Sequence, residues 1–535
     1  MKRPSPDEYL NRRFDLVVIG GGINGAAIAR DAALRGFSVL LLERYDFASG
    51  TTSWSTRLIH GGLRYLEHRE FGLVRESLRE RERLLKNAPH LVQPLPLYLP
   101  IYAWSKRGPL TIRAGMTLYD LLSFDKSLPR HTMLSREEAL DSIPGLESAG
   151  LKGAARYYDA QATFPERLVI ENLIDAADNG AVVVNHARVD SIVAGGNVTR
   201  GITFTDIASN TTHEVQARAL LNAAGPWVDD ILELRDDNSD KPLMGGTKGT
   251  HCFVAMPKGL QLEPIYCEAR SDGRAIFLLP WNNLLMIGTT DTRYSGDPDD
   301  AVATQKEIDY LIAEAQTLVP DSGFTTAGVL FTYSGIRPLP NTEGGAESGI
   351  TRRHFVVDHA PSRAGLFSIV GGKLTTHRSL AEVALNDVSA YLGDRRKCVT
   401  AGRPLPGASN TPVNDTRLPP QTLAHLHAVY GSRAREVIAM AGDDARLLEP
   451  MTADCPAIGA ELLFVYEEEM ASSLADAMLR RAMIAYTPDM GLAAASAMTM
   501  IGRNYLGWSG SDAGDQLGAY RAVIERFKPK VLETT

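Results

Sequence analysis

Four cysteines in 535 residues (Cys252, Cys267, Cys398 and Cys455) leave no basis for a disulfide framework. None stands in a CxxC pair or at zinc-ligand spacing, so no metal is expected and a reducing cytoplasm fits. No uncharged apolar run reaches the roughly 18 residues that a membrane-spanning helix needs. The stretch after Arg12-Arg13 is a glycine-punctuated strand rather than a signal core. Aromatic residues make up only 7%, which gives no hint of a platform for single-stranded nucleic acid. Acidic residues outnumber basic ones, 64 to 56, for a net charge of −8. That balance argues against a nucleic-acid binder but permits local basic patches for an anionic small molecule or lipid.

What the chain does have is length for two or three domains and 44% hydrophobic residues to fill their cores. Its most informative segment is Asp15-Leu-Val-Val-Ile-Gly20-Gly-Gly22-Ile-Asn-Gly25, read as a strand, a glycine turn and a helix start. Gly20 and Gly22 allow a tight turn and close approach to a pyrophosphate. Gly25 lets the helix pack on the strand, and the helix N-terminus offers N–H groups to phosphates. Glu43, eighteen residues past Gly25 at the end of Ser38-Val-Leu-Leu-Leu-Glu43, is placed to accept hydrogen bonds from ribose hydroxyls. Together these predict a dinucleotide site.

Residues 1–13 read as a loose leader. Leu73–Asn87 reads as a helix whose Glu76/Arg79/Glu80/Arg83 run forms a solvated face, ended by the proline-rich stretch from Pro89 to Pro100. Paired strands are expected over Asn185–Thr205, with further strands at Ala217–Ala224, Leu284–Gly288, Phe331–Gly335 and Leu366–Val370, and a helix at Lys373–Tyr391. After a linker near Pro404, helical periodicity covers Thr422–Ala441, Glu461–Ile484, Ala493–Leu506 and Asp515–Phe527.

Gly371-Gly372-Lys373-Leu-Thr-Thr376 lacks the spacing of a P-loop, yet it opens a helix. In a flavoenzyme its positive end would face the ring, with Lys373 adding a full charge. The small hydroxyl residues from Ser49 to Thr56 and the segment His60-Gly61-Gly62-Leu-Arg64-Tyr65 suit cofactor phosphates and a flat ring. Gly246–His251, Gly288–Asp291 and Ser334–Pro338 bring polar groups into apolar settings. Arg337 and Lys373 would suit a small phosphate or carboxylate.

These segments together resemble the FAD-dependent glycerol-3-phosphate dehydrogenase family, of the bacterial aerobic respiratory type. The most specific are Ile19–Gly25, Leu58–Glu67, Asn222–Val228, Ile287–Asp291, Tyr333–Pro338 and Gly371–Thr376. The resemblance implies an α/β fold: an FAD-binding Rossmann-like domain of the glutathione-reductase/amino-acid-oxidase type, a mixed-sheet substrate domain and a C-terminal all-α cap. The FAD-dependent region would span 14–400, with FAD-binding parts near 14–90, 160–245 and 350–395 and substrate parts near 91–159 and 246–349. The helical domain would span 401–535.

It also implies oxidation of sn-glycerol 3-phosphate to dihydroxyacetone phosphate, with electrons passing through FAD to a membrane quinone. Carried over by position, Arg64, Tyr65, His251, Arg337 and Lys373 would lie by the substrate and His60 by the flavin. Gly20, Gly22, Gly25, Glu43, Thr52, Ser53, Gly61, Gly62, Ala224, Gly225, Gly371, Gly372, Leu374 and Thr375 would hold the cofactor. Two positions depart from the family pattern: Ala27 replaces a glycine, and His377 replaces a tyrosine. For proton removal from the substrate hydroxyl, His251 is favoured and His60 second.

Residues 101–128 mix apolar, aromatic and basic side chains as an interfacial helix would. With the resemblance, this leads to the expectation of peripheral attachment to the inner face of the cytoplasmic membrane, and a homodimer is compatible. The open alternatives are an oxygen-using oxidase, a flavin enzyme for amino or hydroxy acids, an NAD(P)-linked dehydrogenase and a catalytically silent relative.

Overall fold

The computed structural model describes residues 1–235, 241–342, 350–453 and 455–529. The expected segments near 160–245, 246–349 and 401–535 include positions outside that set.

Strand Arg13–Ile19 lies at the heart of the first sheet. It runs parallel to Val39–Leu42 on one side and Thr211–Asn222 on the other; Val182–Val184 and Leu366–Val370 extend the parallel set. Every residue of Val39–Leu42 and Leu366–Val370 is buried, as expected of parallel strands covered on both faces. Helices Ile23–Leu34, Pro165–Asp178 and His377–Leu392 pack on this sheet. The expected hairpin forms as Ala187–Gly195 and Val198–Asp206, and its second strand pairs with Thr211–Asn222, which is longer than predicted.

The second sheet is mixed. Its strands Thr247–Ala255, Leu284–Gly288 and Val329–Arg337 lie side by side, and at its far end Leu58–Ile59 pairs with Leu151–Ala162.

Several expectations need correction. The proline-rich stretch becomes a strand, Val92–Tyr102. Pro94, Pro96 and Pro100 share the parity of Tyr98, whose N–H points away from the long partner strand to the Pro264 carbonyl, 2.9 Å. Their missing donors therefore fall on the side where Tyr98–Ile265 is the one register pair.

The leader is packed rather than loose. Arg3 reaches Asn185 (2.8 Å) and Asp206 (3.0 Å), and Tyr9 is buried against Phe204. The charged helix, Phe71–Asn87, is only in part a solvated face: Arg79 is exposed, but Glu80 is buried and held by Arg378, and the neighbouring Arg81 is buried and held by Asp159.

In the C-terminal domain the two long periodic stretches each break. Thr422–Ala441 is interrupted at Gly431, in the left-handed region, where a side chain would collide with the Gly407 carbonyl. Glu461–Ile484 splits because Ser473 caps a new helix, Leu474–Arg480, with Asp476 completing the box. A short ribbon, Pro450–Thr452 with Cys455–Ile458, makes the cap predominantly rather than wholly helical. No helix among the described residues is long and apolar enough to cross a membrane.

Candidate cofactor and substrate site

The glycines of the first turn have distinct tasks. Gly20 has φ +108°, and a Cβ there would stand 2.7 Å from the Ala223 carbonyl oxygen; at Gly25 it would collide with the Gly20 carbonyl. Both serve backbone packing. At Gly22 the nearest atom would be Thr52 Oγ1 at 3.5 Å, and that space belongs to a cavity of about 720 Å³. Its size is that of a ligand pocket.

Glu43, Thr52, Ala224, Gly225, Gly372 and Leu374 share the wall with Gly20 and Gly22. The helix Ile23–Leu34 has a glycine, Gly22, at its N-cap, and its first N–H donates to Thr52 Oγ1 at 3.1 Å. Two buried wall atoms, Asn24 Oδ1 and Trp227 Nε1, have no hydrogen-bond partner among the described residues. Such orphans cost about 1–3 kcal/mol each, so the walls fit a long ligand with polar groups along it. A dinucleotide whose phosphates lie at the helix start is such a ligand. Glu43 accepts the Gly21 N–H (2.6 Å) and the Tyr45 N–H (2.8 Å) while keeping further lone pairs for a ribose. Burial pushes its carboxyl pKa up.

The second glycine turn joins the first. A Cβ on Gly372 (φ +102°) would lie 3.3 Å from Asn24 Nδ2. Lys373 then starts a 3₁₀ turn, Leu374–Thr376, that leads into helix His377–Leu392. The third segment is tied to the second: the His60 N–H donates to Thr375 Oγ1 at 3.1 Å.

Six of the expected cofactor residues lie off the cavity wall, Gly25 among them because the Gly20 carbonyl fills its space. Ser53 is buried and bonds the Ala48 carbonyl, 2.7 Å. Thr375 holds His60. Gly61, Gly62 and Gly371 leave their space to Tyr119, Tyr65 and the Arg353 carbonyl.

On the second sheet, the pairing of Thr247 with Arg337 and of His251 with Tyr333 places Gly249 and Gly335 between them on one face. Arg337 lies across Gly249, and Trp54 packs on Gly335. The Arg337 guanidinium donates to Asp291 Oδ1 (2.9 Å), Thr289 Oγ1 (3.1 Å) and the Thr290 carbonyl (3.0 Å); Arg352 takes the other Asp291 oxygen, 3.1 Å. Burial opposes ionisation of Asp291, but the two guanidinium groups hold its carboxyl below the usual range. Lys248 points to the opposite face and pairs with Glu307, 2.8 Å.

Lys373 Nζ donates to Ser77 Oγ (2.9 Å) and lies over the Tyr65 ring. Burial pushes its pKa down to about 7, with the charge of Asp159 opposing. Tyr65 feels Arg352, Arg64 and Arg337, and Arg352 acts on both Arg337 and Lys373. Arg64, Arg337, Arg352 and Lys373, from separate parts of the chain, thus all come close to Tyr65.

Both histidines beside them are kept neutral. Burial first, then Lys373, Arg81 and Arg64, lowers His60 to about 3; burial, Arg337 and Arg57 lower His251 to about 3. His251 Nε2 is 2.9 Å from Thr56 Oγ1, and its buried Nδ1 has no partner among the described residues. His377, at the family's tyrosine position, turns inward: Nδ1 meets the Leu374 carbonyl at 2.7 Å, and burial lowers its pKa to about 4.

Sequence reading missed Arg352, whose signal was the Arg352-Arg353 pair. It also missed the C-terminal residues Asp476, Arg480, Arg526 and Phe527, which line the same cavity from more than 400 positions away from Gly22.

The chain matches the model of FAD-dependent oxidoreductases over residues 15–378 and that of the C-terminal domain of alpha-glycerophosphate oxidase over 398–513. It is 42% identical to a glycerol-3-phosphate dehydrogenase of Synechocystis, with 97% of this chain and 98% of that protein covered. It is 34% identical to an aerobic glycerol-3-phosphate dehydrogenase of Staphylococcus saprophyticus, covering 88% and 87%. Among solved structures it is similar to the FAD complex of the Bacillus halodurans glycerol-3-phosphate dehydrogenase, with TM-score 0.78 and 27% identity over 98% and 97% of the two chains.

Proposed function

The chain belongs to the family of FAD-dependent oxidoreductases, and from that premise we propose that it oxidises sn-glycerol 3-phosphate to dihydroxyacetone phosphate and delivers the electrons to a membrane quinone. The observation that carries this reading is Tyr65, whose ring lies under Lys373 and which feels Arg64, Arg337 and Arg352, with the half-buried Asp291 engaging two of these guanidinium groups. A phosphate monoester, close to doubly charged at neutral pH, matches the surplus of positive charge, and arginine can grip it bidentately.

Bound FAD supplies the hydride acceptor. The protein's own part is to orient the C2–H bond, to neutralise charge and to remove the hydroxyl proton. The group we assign to that proton is His251, whose Nδ1 has no other partner among the described residues; the negative charge of bound substrate offsets the Arg337 field that keeps the ring neutral in the free protein, and Arg337 and Lys373 stabilise the alkoxide as it forms.

For the acceptor, the support is helix Pro109–Leu122. Met116 and Tyr119 are buried on its inner side, while Leu110, Leu121 and the following Phe124 are exposed at 82%, 67% and 76%. With Lys106 and Arg113 nearby, that surface suits peripheral contact with an anionic bilayer.

The deciding experiment is anaerobic addition of sn-glycerol 3-phosphate to the FAD-loaded protein. Loss of flavin absorbance, followed by recovery on adding a decyl-tailed benzoquinone, is the expected result. No bleaching removes the substrate assignment. Stoichiometric peroxide in air, with no quinone reduction, assigns oxygen as the acceptor instead.

A further inference from the structure

Five arginine and lysine residues line the cavity beside the dinucleotide turn: Arg44, Arg188, Lys373, Arg480 and Arg526. Three of them are already matched by acids. Arg44 pairs with Asp299 (2.7 Å), Arg188 with Asp190 (2.9 Å), and Arg480 with Asp46 (2.6 Å) and Asp476 (2.8 Å). Lys373 is engaged on the substrate side, by Ser77 and the Tyr65 ring. Arg526 differs. Among the described residues it makes no ion pair, and its hydrogen bonds go to two backbone carbonyls, those of Asp299 and Ala301, both at 3.3 Å.

This cation is held in place. Helix Gly510–Glu525 ends one residue before it. The next residue, Phe527, is buried; its carbonyl accepts the Thr332 N–H at 2.8 Å, and its ring centroid is 5.2 Å from that of Trp54. The Arg526 guanidinium lies over the same Trp54 ring, 6.0 Å from the centroid. Burial lowers its pKa, and the charges of Asp299 and Asp300 offset this only in part. A cation drawn out of water with no acid paired to it is costly unless an anion joins it.

Trp54 belongs to the segment that meets the helix start. Two residues earlier, Thr52 Oγ1 accepts the Ile23 N–H at 3.1 Å. Thr51, Thr52 and Trp54 line the cavity together with Gly20 and Gly22. The helix start offers partial positive charge, but no arginine or lysine occurs from Gly20 to Ala29. A full charge for a ligand there must come from another part of the chain. A dinucleotide carries a negative charge on each phosphate, and arginine grips such oxygens through charge-assisted hydrogen bonds.

We propose that Arg526 supplies the full positive charge for the cofactor's pyrophosphate, so that the C-terminal end of the chain is part of the FAD site. The inference rests on the FAD assignment alone, not on the substrate or the electron acceptor. Arg526 and Phe527 lie beyond residue 513, where the match to the C-terminal family domain ends, so the family match does not carry it.

The test is release of FAD from the full-length holoenzyme on dilution, followed by the rise in flavin fluorescence. Arg526→Gln keeps a donor for the two carbonyls and loses the charge. Its Kd for FAD is expected to rise at least ten-fold, and the dependence of Kd on KCl should become shallower than in the unaltered protein. Arg526→Lys keeps the charge and should stay within three-fold. An unchanged Kd in Arg526→Gln overturns the proposal. Equal weakening in both variants, with equally lowered melting temperatures, also overturns it, because the residue is then a clamp on the backbone at 299–301. A Kd that does not respond to KCl in the unaltered protein and in Arg526→Lys overturns it without recourse to the glutamine variant.

Discussion

The ammonium of Lys373 lies 4.7 Å from the centroid of the Tyr65 ring. The two residues are 308 positions apart in sequence. They meet because Leu58–Ile59 ends a strand of the second sheet while Leu366–Val370 ends a strand of the first, and the turns after both strands fold toward each other.

Lys373, lowered to about 7 by burial, is the group most sensitive to pH in the pocket. Its charge is present below that value and lost above it. Substrate KM is therefore expected to rise as pH increases from 7 to 9, a range in which the phosphate, with its second pKa near 6, is already a dianion. Lys373→Arg should flatten that rise. Steady-state kinetics in one buffer series measures it. For stability the sign is opposite: between about 7 and the ordinary lysine value the unfolded chain binds more protons, so this residue adds stability as pH rises through that window.

Arg337→Met should lower kcat/KM by about a hundredfold, roughly 3 kcal/mol of transition-state stabilisation. Asp291 keeps its bond to Arg352, so folding and flavin content should be unchanged. Unaltered kinetics in a fully flavinated variant would remove Arg337 from the site.

His251→Asn should reduce kcat by about 10²–10⁴-fold, the usual contribution of a positioned general base, while His60→Asn should do less to kcat. Because both imidazoles stay neutral down to about 3, neither should add a limb to the pH–rate profile between 5 and 7. A limb near 6.5 that disappears in His251→Asn would show that this ring titrates normally.

The cap is joined to the cofactor domain by buried ion pairs. Glu469 accepts from Arg167 (2.9 Å) and Arg433 (2.7 Å). Burial opposes its charge, yet the two guanidinium groups hold its pKa down to about 2. The stability it provides is complete above the unfolded value near 4.5 and is lost as pH falls through about 2. Glu469→Gln, which leaves Arg167 facing a neutral amide, should destabilise by about 3–5 kcal/mol. Thermal melts at pH 7 and pH 3 should show the gap between variant and parent narrowing in acid.

Replacing Leu110, Leu121 and Phe124 together with Gln should cut binding to anionic vesicles at least ten-fold. Each exposed apolar side chain has about 1.5–3 kcal/mol to gain from full burial. Co-sedimentation at low and high salt separates this apolar contribution from the basic one. Anaerobic bleaching by substrate should be unaffected.

Much of the site was legible as local pattern. Strand, glycine turn, helix and distal Glu43 obey spacing rules that operate within thirty residues, and the strands from Leu284 and Leu366 stand where continuous apolar runs put them. What failed were readings of environment. Glu80 looks like surface charge until Arg378 arrives from a remote segment to pair with it in the interior. Pro94 and Pro96 look like breakers until the strand's one-sided pairing makes their missing N–H groups harmless. His377 looks like a change of polarity at the site, whereas its ring turns in to a backbone carbonyl.

By itself, then, the sequence determined the dinucleotide turn and the helical character of the cap, because these follow from periodicity and from glycine's freedom over short spans; the two-sheet α/β architecture was implied by the resemblance to a known family. Tertiary structure alone decided that Arg352 joins Arg337 on Asp291, that Tyr119 and Tyr65 pack against Gly61 and Gly62, and that Arg526 and Phe527 close the cavity beside Gly22. Charges and cavity walls assembled from distant segments have no period along the chain, and only packing brings them within the few ångströms at which hydrogen bonds and ion pairs act.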